Sequence, residues 1–178
     1  MKKALPIRIL LVDDDPQMIR IILAMLKKRL PEDVEITTVT CPLKASRLVE
    51  SEVVDLLITD LQMPGLDGLE LMRIAKRRNI WTQVLVITGH TSLQALTSVL
   101  EAGAGDYLLK PIDPIELRGI VKDAVRRIQR WRLALAGTLA ARRTTTGGAA
   151  DSLNTVPQAD APQFCEASVA PYEYVHET

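Results

Sequence analysis

Cysteine is nearly missing from this chain: only Cys41 and Cys165 occur among 178 residues, far apart and without metal-ligand spacing. A disulfide-stapled scaffold is therefore excluded, and a reducing compartment is the simplest setting. Net charge is absent too, with 22 Lys+Arg against 22 Asp+Glu. The chain as a whole should show no strong attraction to nucleic acid or to a membrane surface. No long apolar run exists either. Lys2 and Lys3 precede a stretch broken by Pro6 and Arg8, which then meets Asp13, Asp14 and Asp15. Neither a secretory signal nor a membrane span is expected, and the protein is expected to be cytoplasmic. There is no internal repeat. Aromatic residues number six, and three of them, Phe164, Tyr172 and Tyr174, crowd into the last fifteen positions.

Aliphatic patterning is plentiful. Hydrophobic residues make up 47% of the chain, and the length suits one domain with some excess. Short β-branched and leucine-rich runs alternate with helical periodicity up to about residue 132, which is the mark of repeated βα units. The pattern predicts strands at 7–12, 34–39, 54–59, 83–88 and 106–109, and helices at roughly 16–30, 43–51, 68–78, 91–102 and 114–134. An open parallel sheet with covering helices follows. Asp15 before Pro16 and Asp67 before Gly68 are predicted helix caps, and Gly103 and Gly105 suit the turn that ends the fourth helix. Leu117, Val121, Ala124, Val125 and Ile128 recur at helical spacing, which puts Arg118, Lys122, Arg126 and Arg130 on the opposite, solvated face.

Beyond Leu135 the character changes. Ala136 to Ala141 could continue the last helix, but Thr144, Thr145, Thr146, Gly147 and Gly148 interrupt it, and residues from about 143 onward are expected to be disordered or weakly ordered. Charge shifts as well: residues 1–132 hold 20 basic and 17 acidic side chains, and residues 133–178 hold 2 and 5. The domain organisation read here is a folded domain over 1–135 and a tail of low order over 136–178.

The predicted strand ends carry the chemistry. In an open parallel sheet all carboxyl ends lie along one edge, so residues remote in sequence converge there. Asp13 and Asp14 follow the first strand, Asp60 the third, Thr88 closes the fourth and Lys110 follows the fifth. Carboxylates so crowded repel one another unless a cation neutralises them, and oxygen donors suit a hard divalent ion such as Mg²⁺ or Mn²⁺. A carboxylate beside such an ion can act as a nucleophile toward phosphorus. Thr88 and Lys110 would supply a hydroxyl and a fixed cation for the phosphoryl oxygens, and phosphoryl transfer needs mainly positioning and charge stabilisation.

Four stretches, Ile-Leu-Leu-Val-Asp-Asp-Asp-Pro at 9–16, Leu-Leu-Ile-Thr-Asp-Leu-Gln-Met-Pro-Gly-Leu-Asp-Gly at 56–68, Val-Ile-Thr-Gly-His at 86–90 and Gly-Ala-Gly-Asp-Tyr-Leu-Leu-Lys-Pro at 103–111, stand in order at these strand ends. Together they make residues 7 to about 130 resemble the CheY-like receiver domain of bacterial two-component response regulators. The resemblance implies a flavodoxin-like (βα)5 fold with sheet order 2-1-3-4-5 and a cis bond before Pro111. It implies that Asp60 accepts a phosphoryl group from a phosphohistidine on a sensor histidine kinase or histidine phosphotransfer protein. It further implies that Asp13, Asp14, Asp60 and the backbone carbonyl of Gln62 hold the metal, and that Lys110 and Thr88 contact the phosphoryl oxygens. Thr88 and Tyr107 would form the switch that alters the surface of the fourth helix, fifth strand and fifth helix. Gln62 and His90 would tune hydrolysis of the acyl phosphate, and Gly89 would leave room for a donor imidazole.

Other residues have plainer readings. Trp81 and Trp131 are read as packing or surface residues. Six Lys or Arg against one acid over 118–132 read as a solvated face, with no direct DNA binding expected, and a homodimer through the fourth helix, fifth strand and fifth helix is the preferred contact. The tail, with Tyr172-Glu-Tyr-Val-His, is either a docking element or a remnant of a lost output domain. A second functional class is a haloacid-dehalogenase-type phosphatase with Asp13 as nucleophile and Asp15 two places on. That class needs acids at a late strand end, whereas Asp113, Glu116 and Asp123 fall in helical sequence. A flavin-binding role requires a glycine- and hydroxyl-rich phosphate loop after the first strand, where three aspartates would repel the phosphate.

Overall fold

The computed structural model describes residues 5–27, 30–31, 33–89 and 92–146, with side chains as far as Ala140. Five strands, β1 (Ile7–Val12), β2 (Val34–Val39), β3 (Leu56–Thr59), β4 (Gln83–Thr88) and β5 (Asp106–Leu109), alternate with five helices. The helices are α1 (Pro16–Leu26), α2 (Pro42–Ser51), α3 (Gly68–Arg78), α4 (Leu93–Glu101) and α5 (Pro114–Thr146). All strand pairs are parallel and the sheet order is β2-β1-β3-β4-β5. This is the flavodoxin-like architecture that the motifs imply. The Lys110–Pro111 bond is cis, also as expected.

Burial explains the strand sequences. β3 is buried at every position and β4 at all but its first, because helices cover both faces of the sheet, and such strands read as near-continuous apolar runs. One face packs β1, β3 and β4 side chains such as Ile9, Ile58 and Ile87 against α1 and α5. The other packs Leu10, Leu57 and Val86 against α2, α3 and α4. The edge strands β2 and β5 are only partly covered.

The caps follow the sequence reading. Asp15 Oδ1 accepts from Gln17 N at 2.8 Å ahead of Pro16, and Asp67 Oδ1 accepts from Glu70 N at 2.7 Å. Gly103, with φ of 87°, takes the left-handed turn after α4.

Several boundaries differ from expectation: α2 starts at Pro42 rather than at 43, and α4 spans Leu93–Glu101 rather than 91–102. β3 starts at Leu56 rather than at 54: the amide of Arg8 donates to the Asp55 carboxylate at 2.8 Å, so a side chain occupies a place the backbone ladder would have used. α1 stops at Leu26 rather than at 30, where Lys27 N donates to Leu23 O, and Pro31 disfavours helical backbone at the residue before it. α5 runs past 134 to Thr146, so 143–146, expected to lack order, are helical. Alanine and leucine dominate 133–141 and favour helix, and the Thr138 hydroxyl is satisfied by the Ala134 carbonyl at 2.9 Å. The compact α/β unit extends to Ala140. The expected low order from residue 147, and the tail aromatics with it, lie outside the described residues.

Candidate functional site at the carboxyl edge of the sheet

Strand order reverses between β1 and β3, and a crevice opens there outside the carboxyl ends. Val12 is in register with Thr59, so Asp13 and Asp60 leave adjacent strand ends together. Asp60 N donates to Val12 O at 3.2 Å, which carries the pairing one residue beyond β3. Asp13 and Asp60 are buried and Asp14 is exposed at the rim. The three carboxylates offer oxygens that all lie within 4.8 Å of one another.

Asp60 is held from both sides. Its Oδ1 accepts from the amides of Leu61 at 2.6 Å and Gln62 at 3.2 Å, and its Oδ2 accepts from Lys110 Nζ at 2.6 Å. Lys110 also donates to Asp13 Oδ2 at 2.9 Å, while Asp13 Oδ1 accepts from the amide of Asp15 at 2.9 Å. The Thr59 hydroxyl donates to the Asp60 carbonyl at 2.9 Å. Gly68 completes the seat. A Cβ at that position would stand 1.8 Å from the Asp60 carbonyl oxygen, closer than any real contact, so only glycine lets α3 start here. Neither Thr59 nor Gly68 had been read as part of the site. The one available hint was a glycine at the first helical position directly after a capping aspartate.

The charges are unbalanced. Three carboxylates face one ammonium, and the cost is visible on Asp13. Burial raises its pKa above the ordinary carboxylate value, although the bond from Lys110 and that from the Asp15 amide pull it down. Burial would lower the pKa of Lys110, but its bonds to Asp60 and Asp13 outweigh that and raise it. An oxygen-lined, net-negative cluster of this kind fits a hard divalent cation, whose ligands would be these same carboxylates.

The remaining predicted residues are distributed around this centre. Thr88 is fully buried at the end of β4, and its carbonyl accepts from Lys110 N at 2.9 Å. Tyr107 on β5 is half-buried against the α2–α4 side of the core. Its pKa is raised by burial and, secondarily, by the charge of Asp60, so its hydroxyl lies within the electrostatic reach of the site. The Gln62 side chain is exposed. Gly89 is exposed, and among the described residues a Cβ there would meet the Lys110 Cβ at 4.0 Å. His90 lies outside the described residues.

The profile of the response regulator receiver domain matches residues 9–122. The chain belongs to this family. Similar receivers of known structure include a CheY-like receiver domain protein from Methanospirillum hungatei JF-1, 26% identical with a TM-score of 0.64, covering 70% of this chain and 98% of that one. The signal receiver domain of a LuxO repressor protein from Vibrio parahaemolyticus is 27% identical with a TM-score of 0.67, covering 73% and 98%. Among curated relatives, the transcriptional regulatory protein TcrA of Mycobacterium tuberculosis is 33% identical over 68% of this chain and 47% of its own length. The DNA-binding transcriptional regulator NtrC of Escherichia coli is 39% identical over 44% of this chain and 17% of its own. The chain thus spans less than half the length of the curated relatives it matches.

This receiver is a phosphorylation-dependent signalling switch of the two-component type. Receiver domains of this kind interact with histidine kinases or phosphotransfer proteins and bind Mg²⁺ at an acidic pocket, and the receiver here has the acidic cluster. The phosphatase reading built on Asp13 is not supported. Besides the family match, Asp15, which would have to serve as acid two places after the nucleophile, turns its carboxylate to the amide of Gln17 as the cap of α1. Among the described residues no helix is long and apolar enough to cross a membrane.

Proposed function

We propose that residues 1–135 act as a receiver whose Asp60 accepts a phosphoryl group from a phosphohistidine, supplied by a sensor histidine kinase or histidine phosphotransfer protein. The observation that carries this is the seating of Asp60: one oxygen on two backbone amides, the other 2.6 Å from Lys110, in a crevice with Asp13 and Asp14. An Asp60 oxygen attacks phosphorus in line, the P–N bond of the phosphohistidine breaks, and the electron pair returns to the imidazole. Lys110 and the Thr88 hydroxyl take the phosphoryl oxygens, and Lys110 must then give up part of its hold on Asp60. Asp13, Asp14, Asp60 and the Gln62 carbonyl are the proposed ligands of Mg²⁺, or Mn²⁺. That ion would offset the charge on the incoming group.

Movement of Thr88 toward the phosphoryl group is proposed to free space for Tyr107 to turn inward and to change the α4, β5 and α5 surface, where Leu93, Leu100 and Leu109 are exposed. That surface is the proposed site of partner binding or of a homodimer. Gln62 and His90 are the proposed tuners of acyl phosphate hydrolysis. The setting is cytoplasmic, and action is through protein contacts rather than direct DNA binding.

Labelling with acetyl phosphate and Mg²⁺ tests the reading: the wild-type chain should take up one phosphoryl group that is lost in Asp60→Asn. Labelling retained in that variant would put the acceptor elsewhere.

A further inference from the structure

Away from the phosphorylation edge, α1 and α5 leave a groove of about 720 Å³ between them. Its floor is apolar, from Leu26 and Val125, and Ile115 stands exposed at one end. It follows α5 from Ile115 to Gln129, about 20 Å at the helical rise. Arg118, Lys122 and Arg126 form its basic wall, one helical turn apart. Among the described residues only Arg126 has an acidic partner, Asp123 at 3.5 Å on the same helix. Gly119 lies in the groove, and a Cβ there would meet nothing within 4 Å, so packing does not require glycine. Glycine weakens a helix interior. What it does offer is bare backbone on which another element can lie closely.

We infer that the α1–α5 groove is a docking site for an acidic amphipathic helix of a partner protein, with apolar side chains on Leu26, Val125 and Gly119 and carboxylates on Arg118, Lys122 and Arg126. Charge complementarity decides the occupant. A second copy would bring the same row of cations against itself, and like charges facing one another oppose that contact. A helix is favoured because carboxylates spaced by one turn match cations spaced by one turn, and an apolar stripe matches the floor. The site is distinct from the Asp60 crevice and does not require its phosphorylation.

The test is a calorimetric titration of the full chain with a synthetic amphipathic helical peptide bearing leucines on one face and glutamates one turn apart on its flank. The same peptide with lysines in place of the glutamates is the control. The glutamate peptide should bind, and the combined Arg118→Glu, Lys122→Glu and Arg126→Glu variant should weaken it by about ten-fold or more while gaining affinity for the lysine peptide. Gly119→Ala should raise the melting temperature and yet lower affinity for the glutamate peptide, a split that a structural effect would not produce. No binding, binding indifferent to charge reversal, or amide shifts on another face would overturn the proposal. So would binding to vesicles of phosphatidylglycerol and phosphatidylcholine in place of the peptide, or a dimer in sedimentation that charge reversal abolishes.

Discussion

At the amino-end edge of the sheet, Arg132 donates to the Asp55 carboxylate at 2.7 Å and to the carbonyls of Leu5 and Pro6 at 2.6 and 3.1 Å. Asp55 also accepts from Arg8 N, so one carboxylate meets one guanidinium and each has further partners. At the carboxyl-end edge, Lys110 is shared between Asp13 and Asp60, with Asp14 close by. Both clusters join aspartates at β1 or β3 to a cation from late in the chain. They differ in balance. The first is neutral, and it ties α5 to the start of the sheet. The second carries excess negative charge that a divalent cation would offset. A paired cluster is costly to break because one charge is then left uncompensated, whereas a cluster short of cationic charge is poised to take a cation.

The contrast can be broken in several ways. The largest effect is expected for Gly68→Ala, whose Cβ would collide with the Asp60 carbonyl: a loss of about 3 kcal/mol from overpacking, with phosphoryl labelling lost, read by urea unfolding and acetyl phosphate uptake. Next comes Lys110→Ala, which leaves Asp13 and Asp60 facing each other without compensation. A loss of about 2–3 kcal/mol is expected in chelator, and much of it should return in millimolar Mg²⁺, a rescue visible in the urea midpoint. Arg132→Ala should cost about 2 kcal/mol through the lost charged hydrogen bonds, and Mg²⁺ should not restore it. Equal Mg²⁺ rescue of the two variants would remove the distinction between the edges.

The subtlest effect is on pH dependence. Asp13 has a raised pKa in the folded state, so the folded protein binds its proton more tightly than the unfolded chain does. Its contribution is therefore full below the ordinary carboxylate range and is lost as pH rises through the folded value. Without metal, Asp13→Asn should lose less stability than wild type as pH rises above the ordinary carboxylate range. Divalent binding should strengthen over the same range, since the ion requires the ionised carboxylate. Parallel stability curves for the two proteins would contradict the burial of Asp13.

Much of the carboxyl edge was readable from residues alone. Asp13, Asp60, Thr88 and Lys110 each follow or close an apolar run, and in a parallel sheet that local fact already implies a shared edge. The Asp15 and Asp67 caps were equally local. The amino edge was not readable. Arg132 and Asp55 stand 77 positions apart, and neither position has a pattern that singles it out from other surface charges. Trp81 and Trp131 in fact pack against one another with ring centroids 5.0 Å apart and planes tilted by 52°, which is one more long-range contact without a local signal. Gly68 was missed because its role depends on how close α3 comes to the Asp60 backbone.

Strand and helix identity, the order of chemical groups along the edge and the family itself follow from periodicity and from which residue types stand at strand ends, since these are short-range properties of the chain. Folding alone set the remainder: the sharing of one ammonium by two carboxylates, the neutral clamp at the opposite edge, and the basic groove between α1 and α5. Those depend on distances between residues tens of positions apart, and such distances exist only once the sheet has closed and the helices have packed on it.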